Sequence, residues 1–219
     1  MHIFMNNCFH WAGFHMINHF LEKGYTVDGF YNGNEKTKEH FMMFLGRNSN
    51  FSLLNKTDPT EMPEIQYDLA ISVGKWNEPV KCKKYVEIEM QGYHLTEKDK
   101  YSSTSNETTI VYAPLLFGEW MPMTEKGIYQ NETFMRFDSE FFLKEAVYIS
   151  RFIESLIQLL QSSRLSPFIK INSMERQSSV GLEHSIYLYN NKPEEYIGSV
   201  VNHYQTYSDI YKELYHWTK

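Results

Sequence analysis

Three groups of residues have types and spacings that could carry chemistry. Cys8, His10, His15 and His19 lie in one short stretch, and His15 and His19, four apart, share a face if the stretch is helical, as metal ligands often do. No carboxylate and no second cysteine stands near enough to complete a ligand set, so no metal site is expected. Glu87 and Glu89 alternate within an apolar run, YVEIEM. Paired carboxylates do acid–base work when their surroundings push their pKa values apart. A solvated or edge-facing side of a strand is the simpler expectation for them. The third group is the loop that follows Ile3, Phe4 and Met5, in which Asn7, His10 and Gly13 recur at a spacing of three.

Size and composition bound what these residues can belong to. A chain of 219 residues buries one substantial core, which implies one domain or one domain with a small appendage. Hydrophobic residues make up 42% and charged residues 22%, as in a globular protein. The net charge of −6 argues against nucleic acid as a partner, because phosphate neutralisation needs a basic face. No apolar run approaches the roughly 20 residues of a membrane span, and no basic region followed by an apolar stretch marks an export signal. Cys8 and Cys82 lack pairing context and read as reduced, buried thiols, so a cytoplasmic location is expected.

Periodicity supplies the elements that must position the candidates. An apolar strand over residues 3–5 enters the loop. A helix from about Trp11 follows, with Met16, Ile17, Phe20 and Leu21 inward and Gly24 as its C-terminal glycine. Strands are expected at Thr26–Tyr31, Phe51–Leu54, Tyr67–Val73, Tyr85–Met90 and Thr108–Leu116, and a helix at Glu35–Leu45 with Phe41, Met42 and Leu45 inward. Asp58-Pro59 and Met62-Pro63 mark a loop. Strands alternating with helices point to an α/β doubly wound sheet. Beyond it, Phe141–Leu160 reads as one long amphipathic helix, Phe168–Ile171 and Tyr187–Tyr189 as short strands, and the chain from Glu195 as a helix with Tyr204, Tyr207, Tyr211 and Tyr215 along it. Those tyrosines suit a partner surface or a packed core equally. The expected division is residues 1–135 as a Rossmann-like parallel-sheet domain and 136–219 as a small C-terminal α/β lobe completing the same compact unit.

Three stretches resemble the extended short-chain dehydrogenase/reductase family, the NAD-dependent sugar-nucleotide epimerase, dehydratase and reductase group. They are GFHMINHFLEKG (Gly13–Gly24), APLLFGEW (Ala113–Trp120) and AVYISRFI (Ala146–Ile153), in the family's order. The resemblance implies a dinucleotide loop with three glycines, an acid at the end of the second strand for the ribose hydroxyls, and a Tyr/Lys pair four residues apart on one helix. The chain departs at each point. The loop glycines map onto Asn7, His10 and Gly13, and only Gly13 is kept. A side chain at residue 10 stands where a pyrophosphate needs bare backbone. The acid's position falls near Tyr31, with Asp28 inside the strand. The nearest candidates for the catalytic pair are Tyr93 and Lys98, which are five apart. The helix between the fourth and fifth strands is expected to be absent, since residues 74–84 are few and hold Pro79.

The reading is therefore a degenerate Rossmann protein without dinucleotide redox chemistry and with no expected cofactor. It binds a nucleotide-like ligand or a protein partner in a cleft lined by Asn7, His10, Trp11, Gly13, Tyr31, Gly74, Gln91 and Tyr93. The resemblance supports a different reading: a divergent NAD(P)-dependent sugar-nucleotide enzyme of surface-polysaccharide synthesis. A third is an interaction protein, a homodimer through the 141–160 helix.

Overall fold

The computed structural model describes residues 1–54, 65–76, 78–90, 108–130, 133–162, 164–173, 185–188 and 191–215. The chain divides into two compact units, one formed mainly by Met1–Glu89 with most of the strand Thr108–Tyr112, the other mainly by Tyr112–Leu165 and the chain from Ile169 on.

In the first unit, β1 (His2–Asn6) leads into α1 (Trp11–Glu22), β2 (Thr26–Phe30), α2 (Glu35–Leu45), β3 (Phe51–Leu53), β4 (Leu69–Val73), β5 (Tyr85–Glu89) and β6 (Thr108–Tyr112). The strands lie in the order β6-β5-β4-β1-β2-β3. Pairing is parallel from β5 through β4, β1 and β2 to β3. This is the strand order of a doubly wound dinucleotide-binding sheet, and the expected Rossmann-like α/β class holds. β4 is buried along its whole length, as a central parallel strand must be.

Local chemistry sets the helix ends. α1 stops where the chain turns through Gly24 at φ +74°, a left-handed conformation that a glycine enters without a Cβ clash. Its buried face holds Met16, Ile17, Phe20 and Leu21, as the spacing requires. α2 starts at Asn34, whose side chain accepts the Lys36 N–H at 2.8 Å. It buries Phe41 and Leu45 as expected, but His40 rather than Met42 completes the buried face.

Among the described residues between β4 and β5 no helix forms, so the sheet face there needs another cover. Trp76 supplies it, its ring centroid 5.1 Å from Phe30 and 6.1 Å from Phe4. Val80 and Cys82 pack on the same cluster. Burying a phenylalanine is worth about 2–3 kcal/mol, so leaving Phe4 and Phe30 bare would cost much of a domain's net stability. Asp28, buried in β2, is committed inside the same face. Its Oδ2 is 2.9 Å from His2 Nε2 and accepts the Tyr67 hydroxyl at 2.9 Å.

The second unit departs from the sequence reading in three places. The expected sixth strand, 108–116, is two strands, β6 and β7 (Leu115–Phe117). The break falls at Ala113–Pro114, where proline has no N–H to give a ladder. A three-stranded antiparallel sheet that the periodicity did not reveal follows: β8 (Met123–Thr124), β9 (Gly127–Gln130) and β10 (Thr133–Arg136). The single helix expected over 141–160 is α3 (Glu140–Glu145) and α4 (Ile149–Leu160), separated by β11 (Ala146–Tyr148), which pairs in parallel with β7. The homodimer reading named that continuous helix and loses it. The physical reason is non-local: Ala146 turns extended, at ψ 139°, because β7 offers an edge to pair with.

The short strands β12 (Phe168–Asn172) and β13 (Ser185–Tyr187) pair in parallel. Tyr189, the expected end of the second, lies outside the described residues, as do the Asp58-Pro59 and Met62-Pro63 loop residues. The C-terminal stretch is two helices, α5 (Glu194–Thr206) and α6 (Ser208–Tyr215), broken at Tyr207.

The tyrosines of this stretch resolve mainly as packing around Trp120. That residue has φ +63°, a conformation costly for a bulky side chain. Both of its backbone polar groups are held by α6: its N–H donates to the Tyr211 hydroxyl at 2.7 Å and its carbonyl accepts from Tyr215. The Trp120 and Tyr211 rings stack at 5.5 Å, and Tyr211 is fully buried. Tyr211→Phe keeps the stack but orphans the Trp120 N–H. A loss of about 1–2 kcal/mol in urea unfolding is expected; an unchanged midpoint would show that the phenol does not hold this turn.

Candidate functional site

The turn between β1 and α1 is built from Asn7 to Gly13. Asn7 has φ +54°, and asparagine enters this left-handed region more readily than most non-glycine residues. It thus makes the sharp turn that the resembled loop gives to its first glycine. The turn is stitched to both neighbouring strands: Cys8 N–H donates to the Phe30 carbonyl at 3.1 Å, and Asn7 Nδ2 donates to the Val73 carbonyl at 3.3 Å. Gly13 is buried against this turn. A Cβ there would lie 2.7 Å from the Asn7 carbonyl oxygen and 3.2 Å from that of Cys8, so the close helix–strand approach is real. Two of the three glycine roles survive in geometry, one of them without a glycine.

His10 occupies the third. Its backbone is extended, and its Nδ1 accepts the Ala12 N–H at 3.3 Å. An accepting Nδ1 places the neutral ring's proton on Nε2. Burial lowers the His10 pKa from 6.5 to about 4, so the imidazole is neutral at pH 7. The start of α1, where N–H groups and the helix dipole would face an anion, is capped by an uncharged ring of the same chain.

The other expected cleft residues divide. Trp11 is buried beside His10, ring centroids 5.8 Å apart. Tyr31 stands just past β2, packed edge-on against Phe9 at 5.3 Å, and burial raises its pKa. Gly74, φ +81°, follows β4. Gln91, Tyr93 and Lys98 lie outside the described residues. Burial pushes the Cys8 thiol far up, which leaves it inert. His19 turns its Nδ1 onto the His15 carbonyl at 3.0 Å, and His15 packs against Trp11 and Phe14. Among the described residues no group of three or more His, Cys, Asp or Glu side chains is placed to hold a metal ion.

A second feature lies at the carboxyl ends of β1, β4 and β5, the edge at which ligands of such sheets bind. In register, Asn6 faces Ser72 and Ser72 faces Glu87, so the three point to one face. Asn6 Nδ2 donates to Ser72 Oγ at 2.9 Å. Glu89, on the same side of β5, is buried, and Glu87 is half-buried. The expectation of a solvated strand side is corrected for Glu89, which the sheet buries. Burial first, and then Glu89, push the Glu87 carboxyl up to about 7, against a smaller opposing pull from Lys75. Alternation in the sequence placed both glutamates on one face; only strand register added Asn6 and Ser72.

No protein-family model and no curated protein matches the sequence. Among solved structures the chain is similar to dTDP-glucose 4,6-dehydratase of Bacillus anthracis in complex with NAD, with a TM-score of 0.58 and 10% identity over 98% of this chain and 99% of that one. It is similar to the yeast methylglyoxal/isovaleraldehyde reductase Gre2 complexed with NADPH (TM-score 0.53, 10% identity, 97% and 100% covered). It is also similar to the Bordetella bronchiseptica enzyme WbmG in complex with NAD (TM-score 0.58, 10% identity, 94% of each chain). At such identity the likeness is one of fold, and at that level the resemblance read from the sequence holds.

Two outcomes follow from the turn. Gly13→Ala forces a Cβ into backbone carbonyls and is expected to lower stability by about 1–3 kcal/mol in thermal unfolding; full retention of Tm would contradict the close approach. His10→Asn keeps a cap that takes no proton. Because the unfolded imidazole binds a proton at 6.5 that the folded one refuses until about 4, wild type loses stability as pH falls between those values. Relative to His10→Asn the loss reaches about 3 kcal/mol by pH 4. Urea curves of the two proteins that stay parallel across that range would refute it.

Proposed function

We propose that this chain is a degenerate Rossmann protein of the short-chain dehydrogenase/reductase type that performs no dinucleotide redox chemistry. It acts by binding a nucleotide-like ligand or a protein partner at the carboxyl edge of its sheet. The observation that carries this is the His10 imidazole capping α1. A dinucleotide needs the first N–H groups of that helix and bare backbone beside them. Here the Ala12 N–H is already bonded and a ring stands over it. The acid for the ribose is missing too. Tyr31 holds the position after β2, and Asp28 is bound within the sheet by His2 and Tyr67. The residues present do not fit the NAD or NADPH carried by the similar structures.

The rival reading, a divergent NAD(P)-dependent sugar-nucleotide epimerase, dehydratase or reductase, draws on the likeness to the B. anthracis dehydratase. Fold alone is an argument by analogy. Among the described residues neither Cys8 nor Cys82 forms a disulfide, which suits the reducing cytosol in which we place the protein.

Calorimetric titration with NAD+, NADH, NADP+ and NADPH separates the readings. No saturable binding is expected up to about 1 mM, where a binding free energy near −4 kcal/mol would already register. Stoichiometric binding at micromolar concentration would overturn the proposal and favour the rival. A thermal-shift panel of nucleotides and sugar nucleotides then looks for the ligand, since a compound preferring the folded chain raises Tm.

A further inference from the structure

Asn32-Gly33 is the one Asn-Gly pair in the sequence, and it lies just past β2, directly after Tyr31. Both residues are exposed. Among the described residues neither the Asn32 carboxamide nor the Gly33 N–H has a hydrogen-bond partner. Their neighbours, by contrast, are engaged. The Tyr31 ring lies so close over Gly33 that a Cβ there would run into it, which leaves room for glycine alone. Asn34 caps α2, its side chain accepting the Lys36 N–H at 2.8 Å.

An asparagine followed by glycine has a reaction open to it that needs no enzyme. The following amide nitrogen, once base in water has taken its proton, attacks the side-chain carbonyl carbon. A bond forms between that nitrogen and Cγ, the Cγ–Nδ2 bond breaks, and ammonia leaves a cyclic imide behind. Water then opens the ring. Opening at Cγ gives aspartate; opening at the main-chain carbonyl gives isoaspartate, whose backbone runs through Cβ and Cγ. Asparagine and water thus become a carboxylate and ammonium, with no change of oxidation state. The attack needs a nitrogen that is not crowded by a Cβ and a side chain free to reach it.

Two other places in the chain lack those conditions. Asp28-Gly29, the acidic counterpart of the pair, is fixed inside the sheet: both residues lie in ladders with β1 and β3, and the Asp28 carboxylate is held by His2 and Tyr67. Asn48 is exposed, but its Oδ1 accepts the Asn50 N–H at 2.9 Å and the residue after it, Ser49, carries a Cβ. We propose that Asn32-Gly33 is a self-modification site, at which the folded chain converts its own carboxamide to aspartate and isoaspartate with water as co-reactant. Isoaspartate adds a methylene to the main chain between Tyr31 and Gly33. That displaces Gly33 from the Tyr31 ring and Asn34 from the start of α2. Tyr31 packs on Phe9 of the β1–α1 turn, ring centroids 5.3 Å apart, so the change is felt beside His10. The conversion itself does not depend on what the cleft binds.

Peptide mapping by mass spectrometry of the full chain, aged at neutral and mildly alkaline pH, tests this. Asn32 is expected to gain the mass of an amide-to-acid exchange at least about tenfold faster than Asn48, and at a rate within about tenfold of the guanidinium-unfolded chain, because an exposed turn opens at little cost. The rate should rise with pH, since the attacking nitrogen must lose its proton, and Asn32→Gln should abolish the change. A folded-chain rate slower than that margin, or no faster than at Asn48, would overturn the site. Asn32→Asp supplies the charge without the added methylene. Hydrogen exchange over the first turn of α2 is therefore expected to quicken about tenfold in the isolated isoaspartate form and to stay as in wild type in Asn32→Asp. Equal exchange in all three would overturn the displacement of the α2 cap.

Discussion

The first unit depends on how closely α1 can approach the strand that precedes it. With Gly13 buried against the Asn7 and Cys8 carbonyls, the helix starts immediately after β1 and its axis is set by backbone contact rather than by side chains. Asn7 makes the reversal possible, and hydrogen bonds to Phe30 and Val73 fasten the turn to the strands on either side. The helix then opens with donors that need an acceptor, because its first N–H groups have none within the helix. In a dinucleotide-binding loop a phosphate meets that need. Here His10 does so with a neutral ring. The turn keeps the tight backbone of such a loop, and one of its helix donors is met from within the chain.

A similar substitution of side chain for missing structure governs the other face of the sheet. Parallel strands need a crossover, usually helical, that also covers the apolar face. The β4–β5 connection has no helix among its described residues and covers Phe4 and Phe30 with Trp76 instead. A thin cover leaves polar groups near the edge only half shielded. Glu87 sits in that intermediate state, half-buried on the same side of β5 as the buried Glu89, and burial raises its carboxyl. The same thinness lets Asn6, Ser72 and Glu87 lie together at the edge where a doubly wound sheet receives its ligands.

In the second unit the controlling contacts are long-range. Trp120 keeps a left-handed backbone because Tyr211 and Tyr215, about one helical turn from one another, bind its N–H and carbonyl. Tyr148 donates to both oxygens of Glu119 at 3.0 Å and stacks on Tyr196 at 4.3 Å. Tyrosine recurring along the last helices therefore reports mainly a core with hydroxyls aimed at polar backbone, rather than a free surface; Tyr207 alone of the named four is exposed.

What the sequence determined by itself is local in origin. Helical periodicity located α1 and α2, Gly24 marked an end, strand alternation placed Glu87 and Glu89 together, and the loss of loop glycines at residues 7 and 10 was plain in the letters. Each of these depends on residues a few positions apart. The tertiary structure decided everything that required a distant partner. A helical period continues smoothly across residues 146–148, yet they are strand because β7 pairs with them. Asp28 reads only as an acid inside a strand, yet His2 and Tyr67 hold its carboxylate. Whether a carboxylate pair is solvated or buried depends on which strands lie beside it and what covers them, and no spacing along one chain encodes that burial.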